Sequence, residues 1–296
     1  MTSQEHPTAL ITGGTGGIGF HSAVGIAQTG ARVLITGRNV ERGEAAVQAI
    51  QSAAGNPEVS FVRGDLSSIA GIDGLAAAVQ KRAQRIDVLV NNAGFLGDTL
   101  QTSDDDFEMH FAVNVLAPWQ LTHALLPALK AAPHARVINV SGGDKPGRVD
   151  PENLQAEKGF RGLMTYTHSK SVLEAMSMAL AKDLESEGIS VNVVFPGRAS
   201  TAMTQSLTAR ALPGAMKLMY PFFRFFFRDD GGKSAANAAR STIWAATDSE
   251  IHRVTGAYFD THSERQDLHP SAHEPSIHDA IRSTLESAQE ACSSRE

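Results

Sequence analysis

Residues 166–170 read YTHSK. On a helix, Tyr166 and Lys170 stand four apart and share a face. A phenol ordinarily keeps its proton to about pH 10. A neighbouring ammonium stabilises the phenolate and lowers that value. A tyrosine tuned this way gives a proton to a carbonyl oxygen, or takes one from an alcohol, near neutral pH. Taken alone, a surface tyrosine beside a lysine is the plainer reading. A second stretch argues against it. Residues 12–19 read TGGTGGIG, directly after the apolar run Ala9-Leu10-Ile11. So many glycines suit neither helix nor strand. Gly14 to Gly19 satisfy G-x-G-x-x-G, and Thr12-Gly13 with Gly17 and Gly19 satisfy TGxxxGxG. Such a turn lets backbone approach a pyrophosphate, while the next helix offers oriented N–H groups and partial positive charge. No Gly-Lys-Ser/Thr follows, so a phosphate-loop nucleotide hydrolase fits poorly. A glycine turn with no ligand is the bland alternative. Arg38, in ITGRN, stands where the adenosine ribose of a dinucleotide would lie. A guanidinium suits a 2′-phosphate and cannot accept from a hydroxyl, so NADP(H) is expected over NAD. The competing reading is a solvated surface arginine.

These groups need a scaffold. Short, continuous apolar runs at 8–12, 32–36, 59–63, 88–91, 136–141, 191–195 and 257–259 read as strands buried on both faces. Helical stretches such as 41–52, 74–83, 119–131 and 169–185 lie between them. The alternation predicts an α/β fold: a single-domain, doubly wound, mostly parallel sheet with helices on both faces. The expected layout is a flexible N-terminus at 1–7 and a dinucleotide-binding domain at 8–260. A polar, poorly ordered tail follows at 261–296, with room for a short helix around 277–291. There is no internal repeat.

Composition narrows the partners. The 296 residues are 42% hydrophobic and 20% charged, with net charge −6 and no basic block. Apolar material suffices for a core, and nucleic acid is not expected as a partner. Cys292 is the only cysteine, so no internal disulfide is available. Residues 1–7 lack a charged segment followed by an apolar one, so no signal peptide is expected. No apolar run reaches the ~18 residues of a membrane span. A cytoplasmic location follows as an expectation. The histidines are scattered without zinc-type spacing, and Asp104-Asp105-Asp106 reads as a helix start, so no metal is expected.

TGGTGGIG, Asp65-Leu66, NNAG at 91–94, Asn114, Ser141, YTHSK and PGRAST at 196–201 occur in one order along the chain. This set resembles the short-chain dehydrogenase/reductase family over about residues 8–260. LQAEKGFRGLMTYTHSK and GGKSAANAARSTIWAATDSEIHRVTGAYF resemble its retinol-dehydrogenase-like branch most. The resemblance implies a Rossmann-type fold and roles at matching positions. Gly13, Thr15, Gly17, Ile18 and Gly19 would line the pyrophosphate, and Arg38 the 2′-phosphate. Asp65 would bond the adenine, with Leu66 alongside. Asn92, Ala93 and Gly94 would run behind the cofactor. Tyr166 would be the general acid/base. Lys170 would bind the nicotinamide ribose and lower the tyrosine pKa. Asn114 would hold a water leading from Lys170 to solvent. Pro196, Gly197 and Thr201 would fix the nicotinamide end. The family usually ends its central strand with two serines, the second bonding the substrate carbonyl. This chain reads NVSGG at 139–143. Strict strand register puts Gly142 in that place. A one-residue deletion would put Ser141 there, and the spacing to Tyr166 favours Ser141.

The aromatic run YPFFRFFFR at 220–228 follows the sixth strand. A lid over an apolar substrate, spanning about 201–230, is the leading expectation. A patch touching a membrane surface through 220–228, or a satellite core, are the alternatives. The expected activity is NADP(H)-dependent reduction of a hydrophobic ketone or aldehyde, or the reverse. The alternatives are an NADP(H)-binding sensor or scaffold with little turnover, and an epimerase or dehydratase on the same fold. Homo-oligomerisation is compatible with the chain.

Overall fold

A computed structural model describes residues 6–142, 146–212, 214–221, 225, 228 and 230–293, with the backbone alone at 215, 216, 219 and 291–293. The apolar runs become strands β1 (Thr8–Ile11), β2 (Arg32–Gly37), β3 (Val59–Arg63), β4 (Val88–Asn91), β5 (Arg136–Val140), β6 (Ser190–Val194) and β7 (Tyr258–Phe259). An eighth strand, β8 (Arg265–Gln266), was not anticipated. All lie in one sheet in the order β3-β2-β1-β4-β5-β6-β7-β8. Every neighbouring pair is parallel except β7 and β8. This is the mostly parallel, doubly wound architecture that the alternation of elements predicts.

Both faces are covered. Successive residues of a strand point to opposite sides, and the core divides accordingly. On one side, Ile11, Val33 and Val90 pack with Ile26 of α1 (Gly17–Ala27), Ile50 of α2 (Val40–Ala54) and Ala245 of α9 (Lys233–Thr247). On the other, Leu10, Leu34 and Leu89 pack with Leu75 of α3 (Ile69–Gln80) and Leu121 of α5 (Ala117–Ala124). Leu173 of α7 (Leu163–Glu185) and Ile281 of α10 (Pro275–Ser293) complete that side.

Two expectations need correction. The helix expected over 119–131 is interrupted at Leu125, between α5 and α6 (Leu126–Lys130). Pro127 has no N–H to continue the ladder. The tail after 260 is not a disordered appendage. Ser271 Oγ accepts from Val149 N at 3.0 Å, and Ile277, Ile281, Leu285 and Ala288 of α10 are buried. These four recur every three or four residues, so an otherwise polar helix offers one apolar stripe to α7.

Strand order reverses between β1 and β4. Ligands of open α/β sheets bind beyond the carboxyl ends of the strands at such a point. The glycine turn follows β1 there, NNAG overlaps the end of β4, Ser141-Gly142 follows β5 and Pro196-Gly197 follows β6.

Candidate active site

A cavity of about 820 Å³ opens at this edge. It is lined by Gly13, Thr15, Gly17, Ile18, Asn92, Ala93, Gly94, Ser141, Tyr166, Lys170, Pro196, Gly197 and Thr201 of the expected set. The turn is fastened to β4: Asn92 Nδ2 donates to the Thr12 carbonyl at 2.8 Å, and Thr12 Oγ1 accepts from Asn92 N and Ala93 N, each at 3.0 Å. α1 begins without a side-chain cap, and a Cβ on Gly16 would project into open space. The first N–H groups of α1 therefore have room for an anion, which fits a dinucleotide pyrophosphate.

Other expected residues lie outside the lining. Gly19 does not face the cavity: a Cβ there would strike Asn92 and Gly13, so it serves the close packing of α1 on the turn. Asn114 lies one layer behind Gly94, in a π turn (Ala112–Leu116) that joins α4 (Met109–Phe111) to α5. Its Oδ1 accepts from Phe95 N at 2.8 Å. Its Nδ2 donates to the Phe95 carbonyl at 3.0 Å and the Ser169 hydroxyl at 2.9 Å. One Oδ1 lone pair is left for a water. Arg38 is exposed beyond β2, where its carbonyl accepts from Arg63 Nε. Asp65 is exposed beyond β3, its Oδ1 accepting from the Ser67 amide and hydroxyl, and Leu66 packs towards the core.

α7 carries the expected acid–base pair. Tyr166 and Lys170 share its buried face, with the Lys170 nitrogen 6.0 Å from the Tyr166 ring centre. Lys170 Nζ donates to the Val140 carbonyl at 3.0 Å. Burial drives the ammonium down to about 8, while Glu174 pulls it back up. The phenol moves opposite to the expectation. Burial of the hydroxyl pushes Tyr166 up to about 12. Desolvation of a phenolate here outweighs the attraction of the ammonium. His168 faces away, accepting from Asp150 N through Nε2 at 3.0 Å.

The end of β5 settles the register. Ser141 Oγ donates to Glu174 Oε1 at 2.5 Å, and both residues are buried. Ser141 therefore does not present its hydroxyl to a ligand, which corrects the expectation. Gly142 stands against the phenol instead, and a Cβ on it would collide with the Tyr166 hydroxyl. The strict register holds because β5 and β6 stay paired through Val140 and Val194, and Ser141 N still donates to the Val194 carbonyl at 2.9 Å.

Three groups escaped the sequence reading. Glu174 is four residues beyond Lys170 on the same face, a spacing that could have flagged it. Burial raises its carboxyl to about 7, against the lowering pull of Ser141 and Lys170. Glu108 and His110 form a buried pair at 2.7 Å. His110 Nε2 accepts from Gly97 N at 3.1 Å, so the ring proton sits on Nδ1, facing Glu108. The His110 ring packs edge-on to Tyr166, centroids 6.2 Å apart. Arg42 also lines the cavity. It stands in the first turn of α2, where the helix dipole disfavours a cation. That anomaly was its signal.

The outer cavity is apolar. Leu96, Leu163, Met203, Leu207 and Leu212 line it, and Tyr220 Oη donates to the Leu207 carbonyl at 2.9 Å. Of the segment expected as a lid, residues 201–212, which include α8 (Ala202–Gln205), contribute Thr201, Met203, Leu207 and Leu212 to the lining. Of the aromatic run, Phe222, Phe223, Phe226 and Phe227 lie outside the described residues. Phe225 is exposed, with the Arg228 guanidinium 5.9 Å from its ring centre. Among the described residues no helix is long and apolar enough to cross a membrane, and no His/Cys/Asp/Glu group could hold a metal.

The pattern of the short chain dehydrogenase family matches residues 7–211. Mouse retinol dehydrogenase 13 is 33% identical over 255 residues, covering 86% of this chain and 75% of that one. An uncharacterised protein from Mycobacterium paratuberculosis shares the fold at TM-score 0.73 and 22% identity, covering 96% of this chain and 93% of that one. RhlG of Pseudomonas aeruginosa, solved as an active-site complex with NADP, aligns at TM-score 0.62 and 30% identity, covering 87% of this chain and 95% of that one. With its glycine turn, its Tyr166–Lys170 pair and its sheet order, this chain belongs to the short-chain dehydrogenase family of oxidoreductases, in the retinol-dehydrogenase-like branch.

Proposed function

We propose that the protein is an NADP(H)-dependent reductase of hydrophobic ketones or aldehydes, able in principle to run in reverse. The observation that carries this reading is the meeting of Tyr166, Lys170 and the glycine turn in one cavity with an apolar outer wall. A nicotinamide cofactor held at the glycine turn would supply the hydride exchanged with the substrate carbon. Tyr166 gives its proton to the carbonyl oxygen. A phenol pushed up to about 12 arrives protonated, which is the form reduction needs. Lys170, fixed by the Val140 carbonyl, supplies positive charge beside the developing phenolate. Leu96, Leu163, Leu207 and Leu212 keep water from the carbonyl and accept the apolar body of the substrate. Arg38 and Arg42 take the 2′-phosphate.

The bare Gly142 favours a second reading. Without a serine hydroxyl beside Tyr166, the carbonyl loses a donor whose absence costs roughly 2.7–4 kcal/mol in comparable oxyanion sites. A protein that binds NADP(H) but turns over little fits that loss. NADPH consumption over a panel of apolar ketones and aldehydes separates the two. Turnover that falls at least a hundredfold in Tyr166→Phe supports the reductase. Tight NADPH binding with no turnover on any member of the panel supports the binder.

A further inference from the structure

Beside the active-site cavity lies a second hollow of about 320 Å³. Among the described residues its wall includes Phe160, Arg161, Arg210, Leu212 and Lys217, and no acidic residue. Leu212 lines both cavities, so the two adjoin. The chain as a whole carries 32 acidic against 26 basic side chains. Three cations around one hollow without an acid run against that balance. Among the described residues, none of the three enters an ion pair. Asp98, whose carboxylate accepts from the Thr208 hydroxyl at 2.5 Å, is not part of the wall.

The hollow has a fixed place. Residues 160–162 pack on 210–212 so closely that a Cβ on Gly162 would come within 2.7 Å of the Ala211 carbonyl oxygen. That contact brings the Arg161 segment to the Arg210 segment. Phe160 also stacks at a tilt on His110, centroids 5.6 Å apart, and His110 in turn packs on Tyr166. The hollow is therefore two rings removed from the catalytic phenol. Unpaired like charges held together repel one another, and an anion relieves that repulsion.

We propose that this hollow is an anion subsite for the substrate. The reacting carbonyl meets Tyr166, an apolar body lies along Leu163, Leu207 and Leu212, and a carboxylate or phosphate at the far end is held by Arg161, Arg210 and Lys217. The substrate class becomes an amphipathic carbonyl compound with a terminal anion. This rests on the reductase reading for the carbonyl, while the anion site itself can be measured without turnover.

The test uses the full chain with NADPH. Decanoate, decyl phosphate and decanol are titrated calorimetrically into the wild type and into the triple variant Arg161→Gln, Arg210→Gln, Lys217→Gln. The expected result is at least tenfold tighter binding of one or both anions than of decanol, a preference that shrinks with added salt and vanishes in the triple variant. The tighter of the two anions identifies carboxylate or phosphate as the natural end group. Equal binding of all three ligands, or an anion preference that survives in the triple variant, overturns the subsite. Turnover of decanal and of 10-oxodecanoate is followed in parallel. An anion preference without any turnover leaves the subsite standing and sinks the reductase reading. Turnover with no anion preference does the reverse.

Discussion

At the scale of single residues, the end of β5 sets the surroundings of the Tyr166 phenol. Gly142 leaves room for the Tyr166 hydroxyl, and Ser141 turns to Glu174. Gly142→Ala puts a methyl group where the hydroxyl now lies, so the phenol must move. Turnover should fall at least tenfold while NADPH affinity changes little, as steady-state kinetics beside cofactor titration will show. Improved turnover in Gly142→Ser would mean that the phenol and a serine can coexist there. Lys170, rather than Tyr166, is expected to set the pH profile of reduction. Lys170 is charged below about 8 and neutral above it, whereas the phenol keeps its proton to about 12. The rate of reduction should therefore decline as pH rises through about 8, well before the phenol titrates. Among charged groups, Glu174 faces Lys170 and holds its pKa up. In Glu174→Gln the falling limb should move to lower pH. A limb that stays put would remove Glu174 from the control of Lys170.

Among the elements, α7 links catalysis to stability. It presents Tyr166 and Lys170 at one end and packs its remaining buried face on the core and on α10. Ile281 of α10 is fully within that contact. Ile281→Ala should cost about 2–5 kcal/mol, lowering Tm by roughly 5–15 °C, with turnover at low temperature nearly intact. A calorimetric scan beside an activity assay checks both halves. An unchanged Tm would show that α10 does not bury this face in solution. The segment before α10 has a further task, because Ser271 anchors Val149 in the connection that leads from β5 to α7. The C-terminal elements thus support the frame around the phenol from behind.

For the whole molecule, the sheet order gathers into one cleft residues that are far apart in sequence, and the proposed preference for NADP(H) rests on its outer rim. Arg38 follows β2, and Arg42 stands in the first turn of α2 and lines the cavity. Arg38→Asp with Arg42→Ala should weaken NADPH far more than NADH, by about tenfold or more for the lost charge-assisted bonds, and the ratio of the two dissociation constants reports it. Equal loss for both cofactors would detach these arginines from the 2′-phosphate. Much of this arrangement is already present in the order of the residues. Strands buried on both faces must be continuous apolar runs, a pyrophosphate turn must be nearly free of side chains, and two groups that act together on a helix must stand four apart. Those are local demands, so Gly13 to Gly19, Tyr166 and Lys170 show them without a fold. The rest depends on what faces what. Ser141 or Gly142 could each meet the phenol until the pairing of β5 with β6 fixed the strand's two-residue alternation. Tyr166 reads as acidified beside Lys170 until burial, which only packing sets, reverses the direction. The stripe from Ile277 to Ala288 looks like a polar tail until α7 supplies the surface that takes it out of water.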